Sequence, residues 1–309
     1  MEQWHNEYLE LMFGPGHTLE KMSNAANIKY QHMPERLYKY RPISENTIAA
    51  LRGDYLISSP PWMFNDMFEG SLLIDKANVN ANTCQRTYDN LRESHPFLPE
   101  ASVWSLEEMF DAIAKGFGGS IADLKKDFLY HSLMQQLIEL GESKLNADIA
   151  KIQSINRNLY NIVCLSELHD SKLMWTHYAD NSSGFCIGYD IKSMGILNPI
   201  VSCTMPVIYM DNPSMTVDDI DQLDGSQAMH LLSRKGMDWE YEKEWRIFYM
   251  ANEEPRRETM PIPKEIYLGP RISDDNRRII AEICMEKGIH LYQMVVNIGS
   301  QKYIPQSML

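Results

Sequence analysis

The sequence predicts an α+β fold: a central, mostly antiparallel, split sheet flanked by helices, with a helical insertion at about 75–158. Short runs of alternating or β-branched apolar residues recur between segments of helical periodicity. Apolar residues make up 44% of the 309 residues, enough for a sizeable core. Because no internal repeat and no strong linker divides the chain, we expect residues 35–309 to form one domain.

Residues 1–34 are predicted to form an N-terminal helical arm. Apolar and aromatic residues have helical spacing from Trp4 to Met12, and the Gly-Pro-Gly run at 14–16 ends that helix. Such an arm would cover the core or reach a neighbouring subunit, so a homo-oligomer is one expected assembly.

The next elements are a strand, a helix, a second strand and a polar loop. The strand Leu37–Arg41 ends at a proline, and Ser44 is placed to cap a helix that runs through Leu51. Gly53 occupies the position of a C-terminal helix cap, and Tyr55–Ser58 reads as the second strand.

The block at about 75–158 carries mainly helical periodicity and no chemical signature. Glycines at 116–119 are predicted to separate two helices, and Gly141 is predicted to separate another pair. Structural support is the expected role of this block.

A second informative stretch begins with a buried strand, Tyr160–Ser166. Asp170 or Ser171 can cap a short helix over Lys172–Ala179, and a strand follows over Phe185–Asp190. The remaining predicted elements are strands over Ile200–Tyr209, within Trp239–Tyr249, over Glu265–Leu268 and finally over His290–Val295, and helices over Val217–Ser233 and Ser273–Glu286.

The stretch WEYEKEWRIFY at 239–249 concentrates charge within an apolar run. Read as a strand, its alternation places Glu242, Glu244, Arg246 and Phe248 on one face. Two carboxylates on one face repel each other unless water, a cation or a ligand offsets the repulsion. A solvated Glu–Arg pair and a ligand site both satisfy that requirement.

Composition narrows the class of protein. The formal net charge is −13, which argues against a broad groove for nucleic acid, since phosphate binding needs clustered Lys and Arg. The five cysteines are widely spaced and odd in number, which is typical of reduced thiols in a cytoplasmic protein. The acidic N-terminus is unlike a signal peptide, and no apolar run approaches a membrane span, so no membrane partner is expected.

Familiar signatures for phosphate loops, dinucleotide folds, zinc proteases and serine hydrolases are absent. The nine histidines are dispersed, so no metal site is predicted. Polar candidates for a shared site nevertheless concentrate in three segments, although each also has an ordinary explanation as a turn, cap or strand residue: Tyr38, Tyr40, Arg41, Asn65, Asp66, Glu69, Ser166, His177, Tyr178, Glu242, Glu244 and Arg246.

These segments resemble a known bacterial family, called domain of unknown function 2971. The resemblance is carried by LYKYRPISENTIAALRGDYLISSP and MFNDMFEG, by CLSELHDSKLMWTHYADNSSGFCIGYD, and by WEYEKEWRI. Met67 stands where the pattern has proline, and Thr176 where serine is common. The family name implies no activity.

A second resemblance concerns architecture. The Tyr-x-Tyr-Arg strand, the following helix and a late Glu-x-Glu strand are similar to ADP-ribosyltransferases. That resemblance implies NAD as substrate, cleavage of its nicotinamide–ribose bond and modification of a macromolecule, in a toxin or phage-defence effector. Glu244 would then stabilise the ribose oxocarbenium ion while Glu242 orients the acceptor, and Arg41 would pair with the pyrophosphate.

The same resemblance implies stacking of nicotinamide on Tyr40 or Tyr178, with Tyr38, Asn65 and Arg246 completing the nucleotide site and His177 as a further catalytic candidate. Two alternatives stay open. One is a nuclease-like toxin in which His177 acts as base beside Glu244. The other is a non-catalytic nucleotide sensor or adaptor of a defence system, with a partner protein.

Overall fold

The computed structural model describes residues 3–14, 16, 18–70, 72–74, 76–126, 128–213, 215–217, 225–250 and 254–308. Helices α1 to α11 span Gln3–Phe13, Leu19–His32, Glu45–Arg52, Lys76–Ser94, Leu106–Gly116, Ile121–Leu124, Phe128–Asn158, Lys172–Tyr178, Pro199–Cys203, Gly225–Leu231 and Asp274–Lys287. Single 3₁₀ turns lie at Pro61–Met63 and Lys192–Met194, and a longer 3₁₀ segment at Met237–Glu242.

Strands β1 to β14 span Leu37–Arg41, Tyr55–Ser58, Leu72–Ile74, Tyr160–Ser166, Phe185–Tyr189, Thr204–Pro206, Ile208–Met210, Met215–Val217, Arg234–Gly236, Glu244–Met250, Arg256–Thr259, Glu265–Leu268, His290–Asn297 and Lys302–Ser307. The main sheet has the order β14-β13-β12-β5-β1-β4-β10-β6. Its pairings are antiparallel except for β12 with β13. The predicted α+β class, with a mostly antiparallel sheet flanked by helices, is confirmed.

The chain separates into two compact units. The first unit comprises Met1–Gly70, Arg157–Pro213 and Met229–Leu309, and the second comprises Ser71–Asn156 and Ser214–Ala228. The main sheet lies in the first unit, whose largest core cluster is built from β-branched and aromatic residues such as Trp245 and Ile247. The second unit holds α4 to α6, most of α7 and the short pair β3–β8. The expected arm at 1–34 and single domain at 35–309 stay predictions.

Local signals placed several elements correctly. Ser44 caps α3 through a full capping box, and Ser171 accepts from the Met174 amide at the start of α8. Gly53 ends α3, but its φ is −93°, and Asp54 takes the left-handed conformation instead.

Four expectations were wrong. Gly141 lies inside the continuous helix α7, because one glycine costs only about 1 kcal/mol in a helix interior and no proline follows it. The expected strand Ile200–Tyr209 is the short helix α9 followed by β6 and β7. Strands β11 and β14 were not predicted, so His290–Val295 does not hold the last strand.

The fourth error concerns the charged stretch. It is not one strand: Met237–Glu242 is 3₁₀, Lys243 is left-handed with φ 43°, and β10 begins at Glu244. The expected helix Val217–Ser233 is described only in part: Val217 ends β8, α10 covers Gly225–Leu231, and residues 218–224 lie outside the described ranges.

Candidate ligand-binding site

A cavity of about 480 Å³ opens in the first unit, a size typical of small-molecule sites. Its walls come from β1, from β4, from the loop after β2, from α8 and from the segment 235–244. These are the three sequence segments that carry the polar candidates, together with β9.

The cavity lies where the sheet splits. Strand β1 pairs with β5 over its full length, but it meets β4 only at Tyr38 and Ser166. Beyond that point the ladder stops, and the Lys39 ammonium donates to the Cys164 carbonyl at 2.7 Å in place of a backbone bond. The predicted split of the sheet is therefore located between β1 and β4, with the cavity at the opening.

The two tyrosines of β1 line the cavity with their hydroxyls already engaged. Tyr38 donates to Glu265 at 2.9 Å, and Tyr40 donates to the Leu168 carbonyl at 2.8 Å. Tyr40 also contacts Trp175 edge-on, with 5.2 Å between ring centroids. Both side chains are thus fixed before any ligand arrives, and they offer ring surface rather than hydroxyls.

Arg41 lines the same cavity, and its side chain forms no hydrogen bond or ion pair within the described ranges. Burial lowers the pKa of its guanidinium from the ordinary value. A cation that is partly removed from water and has no protein counter-ion is stabilised by an anion. Arg41 is therefore the clearest anion-binding group of this site.

Two carboxylates and one lysine form another wall of the cavity. Lys235 donates to Glu242 at 2.5 Å and to Glu244 at 3.0 Å, and all three side chains are nearly fully buried. The left-handed Lys243 turns the chain between the two glutamates, so that they converge although they do not share a strand face. This non-glycine residue at positive φ is a strained position of the kind found at functional sites.

The electrostatics of the two carboxyls differ. Burial, then the charge of Glu244, raises the pKa of Glu242 above its ordinary value, while Lys235 opposes the shift. Burial would also raise the pKa of Glu244, but Arg246 and Lys235 outweigh it and hold that pKa below the ordinary value. Burial lowers the pKa of Lys235, but the two carboxylates overcompensate and raise it.

Arg246 supports this wall from behind and does not line the cavity. Its guanidinium donates to Glu244 at 2.9 Å and to both carboxylate oxygens of Glu69 at 2.6 and 3.1 Å. It also donates to the Leu232 carbonyl. Its guanidinium is fully buried, so its role here is to position Glu244 and the loop that ends at Glu69.

Tyr178 on α8 closes one side and donates to Glu242 at 2.5 Å. Ser166 donates to the backbone carbonyl of Glu242 at 2.5 Å, which ties the end of β4 to the carboxylate segment. Asn65 and Asp66 line the cavity from the loop after β2. The Asp66 carboxylate also accepts from the Phe68 amide at 2.9 Å, so it shapes the loop.

His177 lies elsewhere. Its side chain is exposed, it contacts the rings of Tyr178 and Tyr241, and it does not line the cavity. It follows that α8 turns Tyr178 inward and His177 outward, and the expected grouping of His177 with the two glutamates is not seen.

Sequence reasoning missed two cations of the site. Lys235 lies in the three-residue strand β9, which has no motif and begins directly after the expected helix Val217–Ser233. Strand alternation puts Lys39 on the face opposite to Tyr38 and Tyr40, yet all four consecutive residues from Tyr38 to Arg41 line the cavity, because it opens at the edge of β1. Nothing local in the sequence signals either contact.

Two further observations concern other kinds of site. Within the described residues, no group of three or more His, Cys, Asp or Glu is arranged to hold a metal ion. No helix in the same ranges has both the length and the apolar character that crossing a bilayer requires.

Comparison with known proteins gives one result. No curated protein matches this chain, and no solved structure matches it. Residues 174–247 match the sequence profile of a family described as a protein of unknown function (DUF2971). The matched range includes most of α8, Lys235 and the carboxylate pair, so over residues 174–247 the resemblance to the DUF2971 family is confirmed.

Proposed function

We propose that the cavity binds NAD and that the protein cleaves the nicotinamide–ribose bond, as an ADP-ribosyltransferase-like enzyme that modifies a macromolecule. One observation carries the proposal: the Arg41 guanidinium, which has no partner among the described residues, and a buried carboxylate pair line the same cavity, in the split of the sheet. The guanidinium fork matches the pyrophosphate, and a carboxylate offsets the positive charge that develops on the ribose.

We propose roles for the two carboxylates from their hydrogen-bonding capacity, and Glu242 takes the place at the ribose that the resemblance gives to Glu244. A carboxylate accepts about four hydrogen bonds. Glu244 already accepts one hydrogen bond from Lys235 and two from Arg246. Among the described residues, Glu242 accepts only from Tyr178 and Lys235. Glu242 is therefore the carboxylate with more capacity left for a ribose hydroxyl, and Glu244 positions Lys235 beside it.

The reaction then proceeds by bond cleavage at the ribose. The bond from ribose C1 to the pyridinium nitrogen breaks, and nicotinamide leaves as a neutral molecule. The negative charge on Glu242 stabilises the oxocarbenium ion until a nucleophile attacks C1. The rings of Tyr40, Tyr178 and Phe64 provide surface against which a base can stack.

The experiment measures nicotinamide release from NAD by the wild type, Glu242→Gln and Arg41→Ala. We expect Glu242→Gln to lower kcat by about 10²-fold or more, because the charge at the reacting sugar is lost. Arg41→Ala is expected to raise KM for NAD by about tenfold or more, from loss of a charged hydrogen bond worth about 1.5–3 kcal/mol. Glu240→Gln, a half-buried glutamate of the same 3₁₀ segment that does not line the cavity, is the matched control.

Equal release by wild type and Glu242→Gln would contradict the assignment, and no release with any acceptor would contradict the activity. The proposal extends to a toxin or phage-defence effector. Growth arrest on expression of the wild type, but not of Glu242→Gln, tests that extension.

A second candidate function is non-catalytic binding of a nucleotide as a sensor or adaptor. The observation that favours it is that Lys235 already offsets the charge of both carboxylates. NAD or ADP-ribose bound in the cavity and recovered intact, with binding lost in Arg41→Ala, would support it. The nuclease alternative has less support, because His177 lies outside the cavity.

A further inference from the structure

Lys39 is a second amine in the cavity, and nothing in the proposed reaction uses it. Its Nζ crosses the split of the sheet to the Cys164 carbonyl at 2.7 Å. In the described part of the chain, no carboxylate lies within ion-pair distance of it. Lys235, in the same cavity, is held between two carboxylates. The two lysines therefore differ in their counter-ions although they share one site.

The surroundings of Lys39 raise the fraction of its amine that is neutral. Burial, followed by the charge of Arg41, lowers the pKa of Lys39 to about 8, while the Cys164, Glu244 and Glu242 side chains oppose the shift. A neutral amine keeps two N–H groups and a lone pair, so one N–H satisfies the Cys164 carbonyl while the lone pair is free to react. Desolvation and a neighbouring cation are the standard means of making a lysine nucleophilic.

Arg41 lies two residues further along β1, and alternation places it on the same strand face as Lys39. Both residues line the cavity, and Arg41 has no protein partner within the described ranges. A ligand that carries an anion at one end therefore finds an anchor next to the amine.

We propose that Lys39 forms an imine with a phosphorylated aldehyde whose phosphate binds Arg41. The Lys39 nitrogen attacks the carbonyl carbon to give a carbinolamine, which loses water to leave a C=N bond. The amine and the aldehyde supply all atoms, so no oxidant or reductant is needed. The inference goes beyond NAD cleavage and does not depend on it.

The test uses pyridoxal 5′-phosphate as probe with the full chain at pH 7, borohydride reduction of the imine, and peptide mapping of the labelled lysines. We expect Lys39, whose pKa is lowered, to be labelled about tenfold or more above Lys235, whose pKa is raised by two carboxylates, and above the exposed Lys264. The preference should decrease at pH 10, where exposed amines also become neutral. Lys39→Arg, which keeps the positive charge and the donor, should lose this label.

Pyridoxal, which lacks the phosphate, is the second arm. Arg41→Ala should lower labelling of Lys39 by pyridoxal 5′-phosphate about tenfold more than labelling by pyridoxal, which loses only the effect of Arg41 on the pKa of Lys39. Labelling of the lysines in proportion to the solvent exposure of their side chains would overturn the proposal, and so would equal labelling of Lys39 and Lys235. Arg41→Ala could also lose both labels to the same extent. If its urea midpoint is unchanged, which excludes unfolding, that result would overturn the role of Arg41. NAD cleavage is measured separately and can fail without affecting either result.

Discussion

At the scale of single residues, Arg246 does the most to hold the candidate site together. It is the fully buried cation that binds Glu69 from the loop after β2, Glu244 from its own strand, and the Leu232 carbonyl. Strand alternation correctly placed Arg246 on the same face as Glu244. The resemblance to ADP-ribosyltransferases implied that Arg246 binds the ligand. The structure instead places the guanidinium behind the cavity wall, where every contact is with protein.

Removal of that guanidinium is expected to destabilise the protein strongly. Arg246→Met would leave the carboxylates of Glu69 and Glu244 buried, and breaking such a pair costs about 3–5 kcal/mol. Urea unfolding measures the change. Arg278→Met, which removes the partner of Asp275 in an exposed ion pair, is the control and should change little. Similar losses in the two variants would mean that the buried network contributes no more than a surface pair.

At the scale of elements, two contacts outside the cavity join segments of the first unit that are distant in sequence. Lys29 on α2 donates to the carbonyls of Val201 and Ser202 at 3.0 and 2.7 Å, and so satisfies the unpaired end of α9. Gly184 precedes β5, where an added Cβ would overlap the carbonyl oxygen of Arg41. The backbone of Arg41 therefore packs so closely against residue 184 that only glycine fits there without a shift.

The first contact gives a dependence of stability on pH. Burial lowers the pKa of Lys29 to about 8 from 10.5. Between these two values the unfolded chain binds more protons than the folded chain, so the contribution of Lys29 to the free energy of unfolding rises with pH across this window. Compared with Lys29→Met, the wild type should gain about 2 kcal/mol between pH 8 and pH 10.

Urea unfolding of both proteins at several pH values measures this gain. Lys172→Met, at an exposed lysine, is the control and should follow the wild type at each pH. A constant difference between wild type and Lys29→Met from pH 7 to pH 10 would rule out the linkage.

The second contact links fold to binding. Gly184→Ala should shift the end of β1, lower the free energy of unfolding by about 1–3 kcal/mol and weaken binding of ADP-ribose. Gly141→Ala is the control, because a Cβ there meets open space and alanine favours the helix by about 1 kcal/mol. Calorimetric titration with ADP-ribose measures the affinity. Unchanged affinity in Gly184→Ala would show that the position of Arg41 does not depend on this contact.

At the scale of the whole molecule, every residue that lines the cavity belongs to the first of the two units. That unit is assembled from three separate stretches of chain, and the second unit contains the helices α4 to α6 and most of α7. A ligand in the cavity therefore contacts segments that are distant in sequence but belong to one compact unit.

Amide hydrogen exchange with and without ADP-ribose tests that statement. A bound ligand stabilises the conformation that binds it. We expect slower exchange in β1, β4 and residues 235–246, and no change in α4 and α5 of the second unit. Protection confined to the second unit would place the binding site elsewhere.

The sequence by itself determined the local elements and the resemblance to a family. Caps, breaks and alternation act within a few residues, which is why α3, β1 and α8 were predictable and the matched range 174–247 was recognised. Gly141 shows the limit of this reasoning, since a weak local preference yields to a long helix.

Only the tertiary structure decided which charged groups meet. Lys235 reaches both glutamates, Arg246 turns away from the cavity and His177 stays at the surface, while the sheet opens between β1 and β4. These outcomes depend on burial and on partners from distant segments. A buried charge requires a partner, and the fold supplies that partner from a distant segment. The spacing of residues along the chain does not encode it.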